Sequence, residues 1–175
     1  MFRLAEESAE ELWEVEQLYD LAFAPGRTAL SSYQLREGVA PIAGLCLAAR
    51  DAFGALGGAI RYWPIEIRGA AGRWPCLLLG PVAVHPIRQG EGLGAELIFD
   101  SLARAERLGW RRVLLIGDEP YYGRFGFARS AALGVRFPAP TNPNRILARP
   151  LAPEAMAGVA GDAVRWRGDL TPWSR

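Results

Sequence analysis

The stretch Leu77 to Gly94, LLLGPVAVHPIRQGEGLG, restricts the fold more than any other part of the chain. Its first part, Leu77 to Val84, is a short apolar run with β-branched residues, bounded by Pro86, which predicts a buried strand. Beyond it Leu93, Leu97, Ile98, Leu102, Ala105 and Leu108 recur at helical spacing, and Gly109 stands where such a helix would end. Between strand and helix, Gln89-Gly90-Glu91-Gly92-Leu93-Gly94 sets three glycines against a helix N-terminus. Free backbone N–H groups and the positive end of the helix dipole favour an anion there, and glycine lets the ligand approach the backbone.

The segments on either side predict how a sheet is assembled around this unit. Phe2 to Ala5 reads as a first strand, and Ser8 with Glu11 has the spacing of a capping box opening a helix. That helix carries Leu12, Val15, Leu18, Tyr19, Ala22 and Phe23 as an apolar stripe and ends at Pro25-Gly26. Trp13 is assigned to the core, and Ser31 to Glu37 to a second short helix. Ile42 to Arg50 and Leu56 to Ile67 read as strands of an antiparallel hairpin turned at Asp51 to Phe53, and Arg68 to Arg73 as a flexible loop. Three strands thus precede the glycine turn without a long helix between them. After the helix, Arg112 to Gly117 reads as a buried strand joined by a right-handed parallel crossover. Gly134 to Phe137 and Arg145 to Leu151 are further strand candidates, while Met156 to Arg175 shows no period. The expectation is one domain over residues 1–175, of the α/β (α+β) class, with a mixed, mostly antiparallel sheet flanked by helices.

Several functions are disfavoured by what is missing. With 175 residues and a formal net charge of +1, the chain lacks the basic excess that nucleic acid requires. No apolar run reaches the length of a membrane span, and the acidic N-terminus has no signal core, so a cytoplasmic location is expected. Cys46 and Cys76 lie far apart and His85 is the only histidine, which predicts two buried thiols and no metal site. No Lys follows the glycines as a Walker loop would demand. Gly90-x-Gly92-x-x-Ala95 fits a relaxed dinucleotide fingerprint, but His85 to Gln89 intervene after the strand and a hairpin comes first.

Val82-Ala83-Val84-His85-Pro86 followed by Gln89-Gly90-Glu91-Gly92-Leu93-Gly94 resembles the Q/R-x-x-G-x-G/A motif of the GNAT superfamily of N-acetyltransferases. Tyr122-Gly123-Arg124-Phe125-Gly126-Phe127 resembles the Y-x-x-x-G-F element that follows the next strand in that superfamily. With Gly117 to Tyr121 before it, this second stretch is similar to a signature of a bacterial subgroup of predicted N-acetyltransferases. The resemblance covers Leu77 to Phe127 and implies an acyl-CoA-binding core there.

What the resemblance implies is specific. Acetyl-CoA would lie between two splayed parallel strands, Leu77 to Val84 and Val113 to Gly117. The backbone of Val82, Ala83 and Val84 would serve the pantetheine arm, and Gln89, Gly90, Glu91, Gly92, Leu93 and Gly94 the pyrophosphate, with Arg88 either helping or solvated. Tyr122 matches the proton donor to the departing thiolate. Phe125 and Phe127 fit aromatic packing instead. For the general base Glu66 and Asp118 are the candidates; the alternative readings are a solvated strand-end charge and a turn former. The amine acceptor, a small molecule or a peptide, would be shaped by Phe23 to Tyr33 and Tyr62 to Trp74, where Trp63 and Trp74 are either an apolar wall or core. Members of the family often pair as dimers, so a homodimer is an expectation of the same kind. Three functions remain open at this point: an acetyl-CoA-dependent N-acyltransferase acting by direct transfer, a non-catalytic acyl-CoA-binding or regulatory module, and a dinucleotide oxidoreductase.

Overall fold

Alternating apolar side chains in the central strands divide the interior into two layers, one on each face of the sheet. The computed structural model describes residues 1–23 and 26–168; the predicted helix stop at Pro25 and the end of the C-terminal stretch, 169–175, lie outside it. The chain runs through β1 (Arg3–Glu6), α1 (Leu12–Ala22), α2 (Ser31–Gln34), β2 (Leu47–Arg50), β3 (Leu56–Gly69), β4 (Gly72–Val84) and α3 (Leu93–Arg107). It continues through β5 (Arg112–Ile116), α4 (Glu119–Tyr122), β6 (Val135–Arg136), β7 (Ile146–Pro150) and β8 (Gly161–Arg165).

The strands lie in the order β1-β2-β3-β4-β5-β7, with β8 pairing the far half of β3 and the short β6. Every pairing along the main path is antiparallel except β4 with β5; the two-residue β6 with β8 contact is parallel as well. This is the mixed, mostly antiparallel sheet with one parallel crossover that the order of elements predicts.

In β4, Leu77 and Leu79 join the layer under α3, while Cys76 and Leu78 join the opposite one. The same alternation puts Val113 and Leu115 of β5 with α3 and Leu114 away from it. Helix α3 buries Leu93, Leu97, Ile98, Leu102 and Ala105, and Gly109 follows it with φ of 85° as a left-handed cap. Burying each large aliphatic side chain stabilises the fold by roughly 1.5–3 kcal/mol. Across the sheet, α1 packs Val15, Leu18 and Tyr19 on Ala59 and Ala83. Ser8 N donates to Glu11 Oε2 at 2.7 Å, the reciprocal half of the expected capping box, at a short 3-10 turn leading into α1.

Some local expectations are corrected. Trp13 is 64 % exposed, because it lies on the outer face of α1 beside the acidic residues. The segment before β2 is a 3-10 turn at Ala43–Leu45, so the strand is confined to Leu47–Arg50. Arg68 to Arg73 is not a loop: Gly69 pairs with Gly72, and Ala70-Ala71 alone make the turn of a long hairpin. Small residues that read as flexible here serve a tight reversal. Cys46 and Cys76 are buried free thiols, as expected, and burial pushes them up to about 11 and about 12. Among the described residues no helix is long and apolar enough to cross a membrane.

Candidate active site

A gap in the sheet forms the site. Strands β4 and β5 pair only at Leu77 with Val113 and Leu78 with Leu114. Past Leu78 a bulge turns β4 away: Tyr62 of β3 faces Leu79 and Ile60 faces Val82, so Arg61 alone stands opposite Gly80 and Pro81. Pro81 has no N–H to give to a ladder, which suits a bulge and not a regular central strand. Leu79 on one side of the bulge and Val82–Val84 on the other stay paired to β3, and among the described residues no strand pairs with Leu79–Val84 on the β5 side.

The free edge has a definite polarity. His85 N donates to Gly57 O across the β3 side at 2.8 Å. Alternation along an antiparallel strand then turns the Ala83 backbone toward β3 as well, and the N–H and C=O groups of Val82 and Val84 toward the gap. The side chain of Ala83 is buried against α1 and its backbone groups face β3, so, against expectation, Ala83 offers the gap nothing; the side chain of Leu93 lies in the core, and Leu93 meets the site through its backbone N–H alone.

At the far end of β4 the chain makes a 3-10 turn at Pro86–Arg88, capped by His85, before the glycines. Gly90 and Gly92 have φ of 87° and 82°, the left-handed region, and Gly92 is the N-cap of α3. Ala95 N turns back to Gly92 O, which leaves the N–H groups of Gly92, Leu93 and Gly94 without a backbone partner among the described residues. Gln89, Glu91 and these glycines lie at the surface, outside the deep part of the cleft. Arg88 is already engaged, with Nη2 at 2.7 Å from Asp51 Oδ2.

The deep cleft holds about 430 Å³ between the splayed strands. Its walls include Leu79 to Val82 of β4, Leu115 and Ile116 of β5, and Tyr122 at the end of α4. Asp118 N-caps that one-turn helix, and Tyr122 N bonds back to Asp118 O at 3.0 Å. The Tyr122 ring packs edge-on to Phe127 and against Tyr121, while Phe125 and Phe127 are fully core. Burial, helped by Tyr121 and Asp118, pushes the Tyr122 phenol up to about 12, so it stays protonated across the neutral range. Tyr121 extends the other way, and a methyl group added at Gly94 would meet its hydroxyl at 3.5 Å. Neighbouring tyrosines therefore face the cleft and the glycine turn respectively.

The general-base candidates fare differently. Glu66 is 1 % exposed and lies opposite Pro75 on the hairpin arm, at the other end of β4 from Val82. Its carboxylate accepts from Arg68 Nε at 2.9 Å and Arg73 Nη2 at 2.8 Å, so it is a buried ion-pair partner remote from the cleft. Asp118 is exposed and paired to Arg145 at 3.2 Å. Neither Tyr62 nor Trp74 lines the cleft: Tyr62 is buried with its hydroxyl 2.9 Å from Ser101 Oγ, and Trp74 packs on the opposite core layer. From the other expected acceptor segment, Phe23, Arg27 and Leu30 to Tyr33 do line it. Arg36, Thr141, Asn142 and Arg145 complete the wall, and no periodicity or motif marks them in the sequence.

The comparisons with known proteins bear on this geometry. No family model matches the sequence. The fold superposes with a TM-score of 0.80 on the crystal structure of the GNAT family N-acetyltransferase YhbS from Escherichia coli in complex with CoA, at 25% identity over 94% of this chain and 89% of that one. In sequence, the chain is 30% identical over 117 residues to the uncharacterized N-acetyltransferase YhbS of Escherichia coli strain K12, covering 67% of this chain and 69% of that protein. The chain belongs to the GNAT family of N-acetyltransferases. A second GNAT acetyltransferase, from Brucella melitensis and solved with acetyl-CoA, superposes with a TM-score of 0.69 at 25% identity over 95% of this chain and 97% of that one. Within this GNAT chain the parallel pair that opens into the cleft is β4 with β5.

Proposed function

We propose that this GNAT chain binds acetyl-CoA in the β4–β5 gap and transfers the acetyl group directly to a primary amine. The observation that carries the reading is the unpaired β4 edge at Val82 and Val84, which runs from the Tyr122 hydroxyl's cleft to the free N–H groups at the start of α3. An added strand-like ligand would satisfy that edge, and the pyrophosphate fits the helix start, where Gly90, Gly92 and Gly94 keep side chains out of the way. The two YhbS-like and Brucella structures that hold CoA or acetyl-CoA support the same ligand.

In this reading the residues divide the work. The edges of β4 and β5 hold the acyl arm in line with the cleft, where a neutral amine attacks the thioester carbonyl. The C–N bond forms as the C–S bond breaks. Tyr122 gives its phenol proton to the departing sulfur, the amine loses a proton to solvent, and solvent returns one to the Tyr122 phenolate, which closes the cycle. Leu79, Val82, Leu115 and Ile116 give the strand side of the cleft an apolar lining. Arg88, held by Asp51, is assigned to the turn's architecture and not to the phosphate.

The test is turnover. Wild-type protein with acetyl-CoA and a panel of primary amines should release CoA thiol in step with N-acetylated product. Tight CoA binding with no product from any amine would assign the chain to the non-catalytic module instead.

A further inference from the structure

This inference rests on the acyl-transfer reading and concerns what the acceptor must carry besides its amine. Among the described residues the cleft wall includes Arg27, Arg36 and Arg145 and no Asp or Glu. Two of these cations are already answered by carboxylates. Arg27 contacts Glu16 at 2.5 Å and Asp20 at 2.8 Å, and Arg145 contacts Asp118 at 3.2 Å.

Arg36 differs. It is 8 % exposed, and no carboxylate lies within ion-pair distance of it among the described residues. Its Nε and Nη1 are shielded from solvent and have no hydrogen-bond partner there. Tyr33 and Trp63 hold the guanidinium, their ring centroids 4.3 Å and 5.7 Å from it, and the Tyr33 hydroxyl gives it partial support against burial without reaching Nε or Nη1. Its Nη2 reaches the β4 bulge, where a methyl group added at Gly80 would meet it at 3.4 Å. The carboxylates on the far side of Arg36, Glu16 and Glu37, are engaged by Arg27 and Arg61 and by Arg165. Burial lowers the Arg36 pKa to about 10, so the group is still cationic at neutral pH.

A buried cation with unsatisfied donors is costly to keep, and an incoming anion removes that cost. The Ser31 and Thr141 hydroxyls that share the cleft wall with it carry no charge, and their hydrogen bond of 2.6 Å ties the 138–142 loop to α2. The planar fork of arginine suits a carboxylate. We propose that Arg36 is the carboxylate-binding residue of the acceptor site, so that this transferase acts on small amines that also carry a carboxylate, the class of free amino acids and related amino-carboxylates.

The experiment uses CoA-saturated protein and calorimetric titration with matched probes: N-acetylglycine, N-acetylalanine and N-acetylphenylalanine, each against its carboxamide, with inorganic phosphate as a further arm. At least one carboxylate should bind about tenfold or more tighter than its amide, the size expected for a hydrogen bond to a charged group. Arg36→Gln should remove that preference and keep CoA affinity, which also reports that the variant is folded; Arg36→Lys should keep part of it. Equal binding of acid and amide, a preference that survives Arg36→Gln, a stronger response to phosphate than to any carboxylate, or loss of CoA affinity in Arg36→Gln would each overturn the assignment. Wild-type protein that binds no CoA at all would overturn the transfer reading itself, a failure seen before any acceptor probe is added.

Discussion

The ring of Tyr122 lies against the bare Cα of Gly117, so closely that a methyl group there would come within 2.4 Å of Cε2 and 2.7 Å of Cδ2. The glycine at the end of β5 thereby sets where the phenol stands in the cleft. Gly117→Ala should push the ring out of place and lower kcat about tenfold or more, with acetyl-CoA affinity nearly unchanged. Tyr122→Phe, which keeps the ring and removes the proton, should lower kcat by roughly a hundredfold, the lower end of what a positioned general acid supplies. Steady-state kinetics beside calorimetry separates the two quantities; full activity in Tyr122→Phe would remove the phenol from the mechanism.

The raised pKa of that phenol has a consequence for the pH profile. The proposed proton donor must be protonated, and burial holds the Tyr122 phenol protonated up to about 12. kcat/KM should therefore rise with pH as the amine is deprotonated and show no falling limb near the ordinary tyrosine pKa of about 10. A descending limb at about 10 that vanishes in Tyr122→Phe would show a solvated phenol.

Stability should also depend on pH at the alkaline end. Tyr122, Cys46 and Cys76 are pushed up to about 12, 11 and 12 by burial. In the unfolded chain the same groups ionise near 10 and 8.5. A raised folded pKa means the stabilisation is complete below the unfolded value and is lost as pH climbs toward the folded one. Each group contributes a slope of about 1.4 kcal/mol per pH unit in that window. Thermal unfolding should give a constant Tm from about pH 7 to 8 and a steepening fall from about 9 to 12. A flat Tm through pH 11 would mean these groups are exposed.

At the glycine turn, Gly92 caps α3 with φ of 82°. Alanine there meets the left-handed penalty of about 1–2 kcal/mol per residue, and its methyl group stands where the anion is proposed to sit. Gly92→Ala should lose roughly that stability and about tenfold in acetyl-CoA affinity, read by Tm and calorimetry. Undiminished affinity would move the pyrophosphate elsewhere.

Glu66 gives the opposite kind of test. It is buried between Arg68 and Arg73, away from the cleft. Glu66→Gln should cost about 1 kcal/mol, since the arginines it leaves are more than a third exposed and solvated, while kcat of the folded fraction stays within about twofold. A large loss of kcat at full stability would restore its candidacy as the base.

Much of this was legible in the chain because local rules and the fold agree. The spacing of Leu93, Leu97, Ile98 and Leu102 defines α3 within one residue at its end, and Gly109 marks its cap. The order of strands about the glycine turn suffices for the mixed sheet. The hairpin tip failed because Gly69-Ala70-Ala71-Gly72 is as good a tight turn as a loop, and only the pairing of the long arms decides. Trp13 failed because its place on the helix, not its size, sets its exposure. The bulge is marked in the sequence by Gly80-Pro81, since a proline inside an otherwise apolar central strand cannot be regular ladder. Arg36 carries no such mark, since its isolation arises only when Tyr33 of α2, Trp63 of β3 and the β4 bulge at Gly80 meet.

The central claim is that the β4–β5 gap is an acyl-CoA site, and calorimetric titration of the wild-type chain with acetyl-CoA, CoA and NAD tests it most directly. The account expects both CoA species to bind, one per chain, and NAD to give no heat of binding; binding of NAD alone, or of none of the three, would contradict it.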